Sequence, residues 1–242
     1  MKKDEGEAIR QYAKSFEAYH HWRTKENPKG WFYNDYLEVP AVNELLGDIR
    51  GKKVLDFGCG TGIYIKILIK KGAIVKGFDI SNDMLSIARK ENPQLDLRQG
   101  SGYDIPFREK FDIVLASLVV HYLSDWNKMF QEIARVLRKG GYFVFSTGNP
   151  VVGTVKKRDQ GANYFHDKKV SVGWKDNDGG EMRMYYYHKT YEEIIRTIIK
   201  NGFEIVDYRD CFPIRRAKKN FPKEYERYSK EPLFSAWKIK KK

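Results

Sequence analysis

Apolar and polar positions along this chain change period at regular intervals. Short apolar runs at 54–57, 74–79, 95–98, 111–117 and 142–146 suit buried strands, and helical spacing fills 63–71, 82–91 and 126–138. Ser81 stands where the second of these helices needs an N-cap, and Gly140-Gly141 stops the third. After an interval the pattern resumes with a helix over 190–201, opened by Thr190 as N-cap with Glu193 at N3 and closed by Gly202. Strands over 203–211 and 233–239 complete the series. The alternation predicts an α/β fold, a parallel sheet with helices on both faces joined by right-handed crossovers. Upstream, 4–21 reads as a polar helix with Tyr12, Phe16 and Tyr19 on one face, and 40–46 as a helix beginning near Pro40. Residues 150–187 lose the alternation and suit loops or a short β-ribbon.

The first strand runs into Val54-Leu55-Asp56-Phe57-Gly58-Cys59-Gly60-Thr61-Gly62. A strand, a glycine turn and a helix N-terminus in succession make a cradle for a nucleotide-like cofactor, because the glycines let the backbone approach the ligand. A dinucleotide site wants G-x-G-x-x-G, which requires glycine at position 63, where this chain has isoleucine. What stands here is D-x-G-x-G-x-G, which resembles the first motif of class I S-adenosylmethionine-dependent methyltransferases. The acid fits that donor, since adenosylmethionine carries a cationic sulfonium and an ammonium group, and a carboxylate would repel a pyrophosphate. The strand pattern is similar too, and it implies a Rossmann-like, seven-stranded, mostly parallel sheet over roughly residues 38 to 240. Residues 1–37 are expected to form an N-terminal helical lid, and 38–242 the core with a lid inserted at 150–188.

The resemblance implies a set of cofactor residues: Asp56, Gly58, Cys59, Gly60, Asp79, Ile80, Met84, Ser101, Gly102 and Ser117. Asp79 ends the second strand, where ligands of open α/β sheets lie, and its carboxylate suits two ribose hydroxyls. Ile80 and Met84 either cover the adenine faces or belong to the ordinary core. Gly100-Ser101-Gly102-Tyr103-Asp104-Ile105-Pro106-Phe107 resembles the family's G-D-A-x-x-L-P-F, with Ser101 in place of the aspartate that accepts from the adenine amino group. A serine hydroxyl is shorter and uncharged. The Gly102 amide suits a ring nitrogen, and the Ser117 carbonyl suits the cofactor ammonium. His121, in Ser117-Leu118-Val119-Val120-His121-Tyr122-Leu123, is a candidate base or else a packing histidine. Methyl transfer needs no obligatory acid–base pair, because the cofactor carries the reactivity.

The chain has 242 residues, enough for one α/β domain with additions. Its two cysteines, Cys59 and Cys211, are too few for a disulfide framework or metal cluster, which fits a reducing, cytoplasmic setting. No apolar run is long enough for a membrane span. His20, His21 and His166 lack a partner cluster with metal-like spacing, so no metal is expected. The net charge of +13 admits a polyanionic partner, but many basic residues neighbour acids. The uninterrupted clusters are Lys156-Lys157-Arg158, Arg215-Arg216-Ala217-Lys218-Lys219 and Lys238-Ile239-Lys240-Lys241-Lys242.

Which acceptor takes the methyl is narrowed by motifs that are absent. Amino-methylating nucleic-acid enzymes carry N/D-P-P-Y/F at the fourth strand end, where this chain has Ser117-Leu118-Val119-Val120, and neither cysteine is placed for covalent attack on a pyrimidine. What remains resembles small-molecule methyltransferases of the type 11-like group, in which Phe-Ser-x-x-His-Pro and Tyr-His-Arg-Thr segments face the substrate. Here they read Phe145-Ser146-Thr147-Gly148-Asn149-Pro150 and Tyr187-His188-Lys189-Thr190. The lids supply Tyr12, Tyr19, His20, His21, Trp22, Trp31, Phe32, Tyr33, Tyr36, Tyr164, Phe165, His166, Trp174 and Tyr185 to Tyr187, which suit an aromatic-lined acceptor pocket. The expected function is methyl transfer from S-adenosyl-L-methionine to a small-molecule acceptor, leaving S-adenosyl-L-homocysteine. The alternatives are an RNA methyltransferase using the basic C-terminal tract, and a non-catalytic adenosylmethionine-binding partner subunit.

Overall fold

Strand β1 (Lys53–Phe57) is buried along nearly its whole length, as a strand covered on both faces must be. In the computed structural model it pairs in parallel with β2 (Ile74–Asp79) on one side and β4 (Phe111–Ala116) on the other. The structure describes residues 3–12, 20, 31–155, 163–165, 169–175 and 181–242. With β3 (Leu97–Gln99), β5 (Leu137–Gly148), β8 (Phe203–Asp210) and β9 (Phe234–Lys241), these strands form a seven-stranded sheet in the order β3-β2-β1-β4-β5-β9-β8. Strand β9 runs antiparallel between β5 and β8, so the rest of the sheet is parallel. This is the expected Rossmann-like sheet, its last pair antiparallel.

Successive strand residues divide between the two faces, as a period of two requires. Val54, Ile113, Leu115 and Val144 face one core with α2 (Val39–Leu46) and α3 (Ile63–Lys70). Leu55, Val114, Phe143 and Phe145 face the other, with α5 (Trp126–Val136) and α7 (Tyr191–Lys200). Helix α4 (Asn82–Glu91) joins β2 to β3, and α6 (Pro150–Val155) follows β5. Helix α5 turns Trp126, Met129, Phe130, Ile133 and Val136 to the sheet at helical spacing, and the Asp125 carboxylate caps it by accepting from the Lys128 amide. Two caps are as expected. The Ser81 hydroxyl accepts from the Met84 amide, and Thr190 and Glu193 form a reciprocal capping box.

Two boundaries differ from expectation. Helix α5 ends at Val136, short of the glycine pair, because Leu137 already pairs with Phe111 in the sheet. Gly140, at φ +73°, lies within an irregularity of β5. The stretch Phe32–Glu38 is a π-helix running without a break into α2, with Phe32, Tyr36 and Leu37 buried. An expected boundary at 37/38 therefore falls inside one helical segment that belongs to the core.

Two elements lie over the strand ends. Helix α1 (Lys3–Tyr12) and the hairpin of β6 (Lys169–Lys175) and β7 (Glu181–Tyr187), the expected ribbon, are joined by the Lys169–Glu7 ion pair at 2.8 Å. Near the C-terminus, short helices α8 (Ala217–Asn220) and α9 (Pro222–Tyr228) pack Phe221 and Tyr228 on Phe32.

Candidate active site

At the C-terminal end of β1 the chain turns through Gly58 and Gly60, at φ +69° and +54°. Side chains rarely adopt such angles, and a Cβ at Gly58 would stand 2.5 Å from Val119 Cγ2. The Gly58 and Cys59 amides both donate to the Phe78 carbonyl, pinning the turn to β2. Asp79 completes the attachment, accepting from the Gly60 amide at 2.8 Å and the Ser81 amide at 2.9 Å. Burial nonetheless pushes the Asp79 carboxyl above its ordinary range, with these amides working against the rise.

Asp56 lies behind the turn, 2% exposed, and its Oδ2 has no hydrogen-bond partner among the described residues. Burial, then the neighbouring Asp79 and Glu38, push its carboxyl up to about 8. The Thr61 hydroxyl is also buried without a partner among the described residues. Such clustered and incompletely satisfied carboxylates fit a cationic ligand, which would neutralise them.

Glu38 is the residue the sequence reading missed. It is fully buried, and its carboxylate accepts from the hydroxyls of Tyr64 (3.1 Å), Ser117 (2.9 Å) and Ser146 (2.5 Å). Ser146 Oγ in turn accepts from the Leu118 amide at 2.9 Å. Leu118, at φ +49°, is the one non-glycine residue with positive φ among those described, so this network holds a strained turn at the end of β4. One signal was available: Ala41, Val42 and Leu45 place Glu38 on the apolar stripe of its helix.

These elements line a cavity of about 490 Å³. Asp56, Gly58, Cys59, Gly60, Asp79, Ile80, Met84, Gly102 and Ser117 line it, as does His121. Ser101 does not. Its hydroxyl donates to the Glu5 carboxylate and accepts from the Tyr103 amide at 2.9 Å, so Glu5 of α1 stands on the cavity wall instead. Burial lowers the His121 imidazole to about 4. Its Nδ1 lies 3.4 Å from the Thr147 hydroxyl, and its ring packs edge-on against Tyr186. Cys59 and Cys211 are both free and buried, and burial favours their thiol forms.

Of the lid aromatics, Tyr12, Trp31, Tyr33, Tyr186 and Tyr187 line the cavity, and the Tyr12 and Tyr122 hydroxyls are 2.9 Å apart. Phe32 and Tyr36 pack in the core, and Phe165 is exposed. His20 lies 3.2 Å from Glu91, away from the cavity. Asn149 lines the cavity, but its amide nitrogen donates to the Tyr191 hydroxyl and Asp210, and its oxygen accepts from the Val151 amide. Phe16, Tyr19, His21, Trp22, His166 and the Trp174 side chain fall outside the described residues.

A glycine turn with an acid behind it, a second acid ending β2 and a reversed last strand pair define the class. The chain is a class I S-adenosylmethionine-dependent methyltransferase, and adenosylmethionine is its cofactor. Residues 55–145 match the family profile described as Methyltransferase domain. An S-adenosylmethionine-dependent methyltransferase from Listeria monocytogenes superposes with a TM-score of 0.71 at 26% identity, over 85% of this chain and 96% of that one. An uncharacterized protein of Haemophilus influenzae is 29% identical over 71% of this chain and 75% of its own length. A ubiquinone biosynthesis O-methyltransferase of Shewanella is 28% identical over 59% of this chain. The match spans 62% of that enzyme, less than two thirds. Among the described residues no helix is long and apolar enough to cross a membrane.

Proposed function

We propose that this methyltransferase acts on a small, largely apolar or aromatic acceptor, and that the cavity holds donor and acceptor together. The observation that carries this reading is the covering of the cavity. Helix α1 and the β6–β7 hairpin lie over the strand ends, and the volume of about 490 Å³ suits small molecules. The similarity to an O-methyltransferase of ubiquinone biosynthesis supports the same acceptor class.

Bound adenosylmethionine supplies a methyl already activated on a sulfonium. This chain's residues bind, align and exclude water. In this reading Asp79 would accept from the ribose hydroxyls, and the Gly58–Gly60 backbone and Cys59 would hold the cofactor at the turn. Asp56 and the Ser117 carbonyl receive the ammonium. Ile80 and Met84 cover the adenine, and the Gly102 amide meets a ring nitrogen. Tyr12, Tyr33, Tyr186 and Trp31 form the apolar acceptor wall.

The test is calorimetric titration with S-adenosylhomocysteine, followed by methyl transfer from labelled donor to phenol, carboxylate and RNA panels. We expect saturable binding, and label in a low-molecular-mass acceptor. Absence of both heat and thermal stabilisation would refute the cofactor assignment, since a native-state binder raises stability by mass action. Label confined to RNA would refute the acceptor class.

A further inference from the structure

On the reading of the cavity as the adenosylmethionine site, we propose that Glu38 is a positioning residue for the methyl donor. It holds the chain just past β4 in the bent form that packs against the glycine turn. Neither Glu38 nor its partner Ser146 lines the cavity. Leu118 and Val119, which the network holds, do line it, as do Tyr64 and Ser117. Any effect of Glu38 or Ser146 on a bound ligand must therefore travel through the groups they hold in place.

The Glu38 carboxylate joins three elements. Its Oε2 accepts from Tyr64 on α3, the helix that opens out of the glycine turn, and its Oε1 from Ser117 past β4 and Ser146 in β5. A hydroxyl has one hydrogen to give, and Ser146 spends it on Glu38. Its oxygen is then left to accept, and it takes the Leu118 amide at 2.9 Å. Leu118 needs that bond. At φ +49° its backbone is in a form that side chains disfavour, and the bond offsets the cost. The next residue packs on the donor's turn, since a Cβ at Gly58 would stand 2.5 Å from Val119 Cγ2. Release of Leu118 to ordinary backbone angles would move Val119 off that turn.

The probe is S-adenosylhomocysteine, titrated calorimetrically into the full chain. Ser146→Ala removes the acceptor of the Leu118 amide without touching the cavity wall, and should weaken binding about tenfold. Adding Leu118→Gly should recover about threefold or more, because glycine takes a positive φ without the bond. Glu38→Gln should stay within about threefold of wild type, since its amide oxygen still accepts from both serines. Ser146→Cys, whose thiol is a weak acceptor, replaces the alanine variant if that one folds poorly, with a loss in the same direction. Ile198→Val, in the core on the opposite face of the sheet and off the cavity wall, is the stability control. It should lower the melting temperature and leave affinity unchanged.

A Ser146→Ala protein that melts earlier but binds like wild type would make the network purely structural, and that result would overturn the proposal. A double variant no tighter than Ser146→Ala would show that the Leu118 turn is not the link, and would overturn it equally. Glu38→Gln binding as weakly as Ser146→Ala would mean that charge acts rather than the bonds to the serines, with the same consequence. Each of these outcomes leaves the cofactor assignment standing, because wild type still binds. Wild type that takes up no S-adenosylhomocysteine would sink that assignment, and Glu38 with it.

Discussion

Asp56 is costly to keep in the free protein, and the cost has a pH signature. Its carboxyl is raised from an ordinary unfolded value of about 4 to about 8, first by burial and then by Asp79 and Glu38. Between those values the native state binds a proton that the unfolded state has released, so folding stability falls as pH rises from about 5 to 8. The cofactor's cations favour the ionised form, so binding at pH 7 should release protons and tighten toward pH 8. Asp56→Asn should raise the melting temperature of the ligand-free protein at pH 8 by a few degrees and weaken adenosylmethionine binding at least about tenfold. Denaturation across pH, with calorimetry in buffers of different ionisation enthalpy, reads both effects. A variant no more stable at pH 8 than wild type, with unchanged proton release, would mean that Asp56 does not titrate in this window. His121 shows the opposite balance. Held near 4 by burial, it is a poor match to a general base, which works best near the operating pH. We assign it to packing against Tyr186 and Thr147. His121→Gln should keep more than about a tenth of kcat, where loss of a general base costs about a hundredfold or more.

At the scale of elements, legibility followed the range of the interactions. The glycine turn, Asp79 and the caps of α4 and α7 announce themselves locally, because each role is set by residues within a few positions. The strands were readable from apolar runs, and a parallel sheet followed from the α/β alternation, which does not itself fix the strand order. The start of β5 was not, because Gly140 at positive φ serves an irregular strand and looks like a helix stop in sequence. The π-helix at Phe32–Glu38 carries no distinctive spacing, and its aromatics read equally as lid or core. The partners of Glu38 and Glu5 were illegible for one reason. Of the hydroxyls that Glu38 binds, Ser117 and Ser146 are 79 and 108 residues away, and Ser101, which donates to Glu5, is 96 away. Ser101 gave half of that second pair as an unexplained departure from pattern, and only the packing of α1 supplied the other half.

For the whole molecule, the net charge of +13 and the acidic cavity point to different partners. The C-terminal basic run is largely committed to the fold. Lys241 donates to the Ala134 and Leu137 carbonyls, Lys240 lies 3.6 Å from Glu204, and Lys238 sits over the Tyr142 ring. Arg215, Arg216, Lys218 and Lys219 are exposed around α8, with Arg216 also over Tyr36. Inside, Glu5, Asp56 and Asp79 line the cavity, and Lys189 is the one lysine or arginine among its described lining residues, so its wall offers a polyanion few cations. A basic exterior around an acidic, covered interior therefore predicts non-specific RNA adhesion without RNA methylation. Four phosphate contacts at α8 give a log–log salt slope of about −3 for single strands, so binding visible at 50 mM salt should fade by 200 mM. Reversing those four charges should abolish the adhesion and leave S-adenosylhomocysteine affinity unchanged, since none of them lines the cavity. RNA affinity that survives 200 mM salt, or that competes with acceptor methylation, would move the assignment toward a nucleic-acid substrate and require the β6–β7 hairpin to open for it.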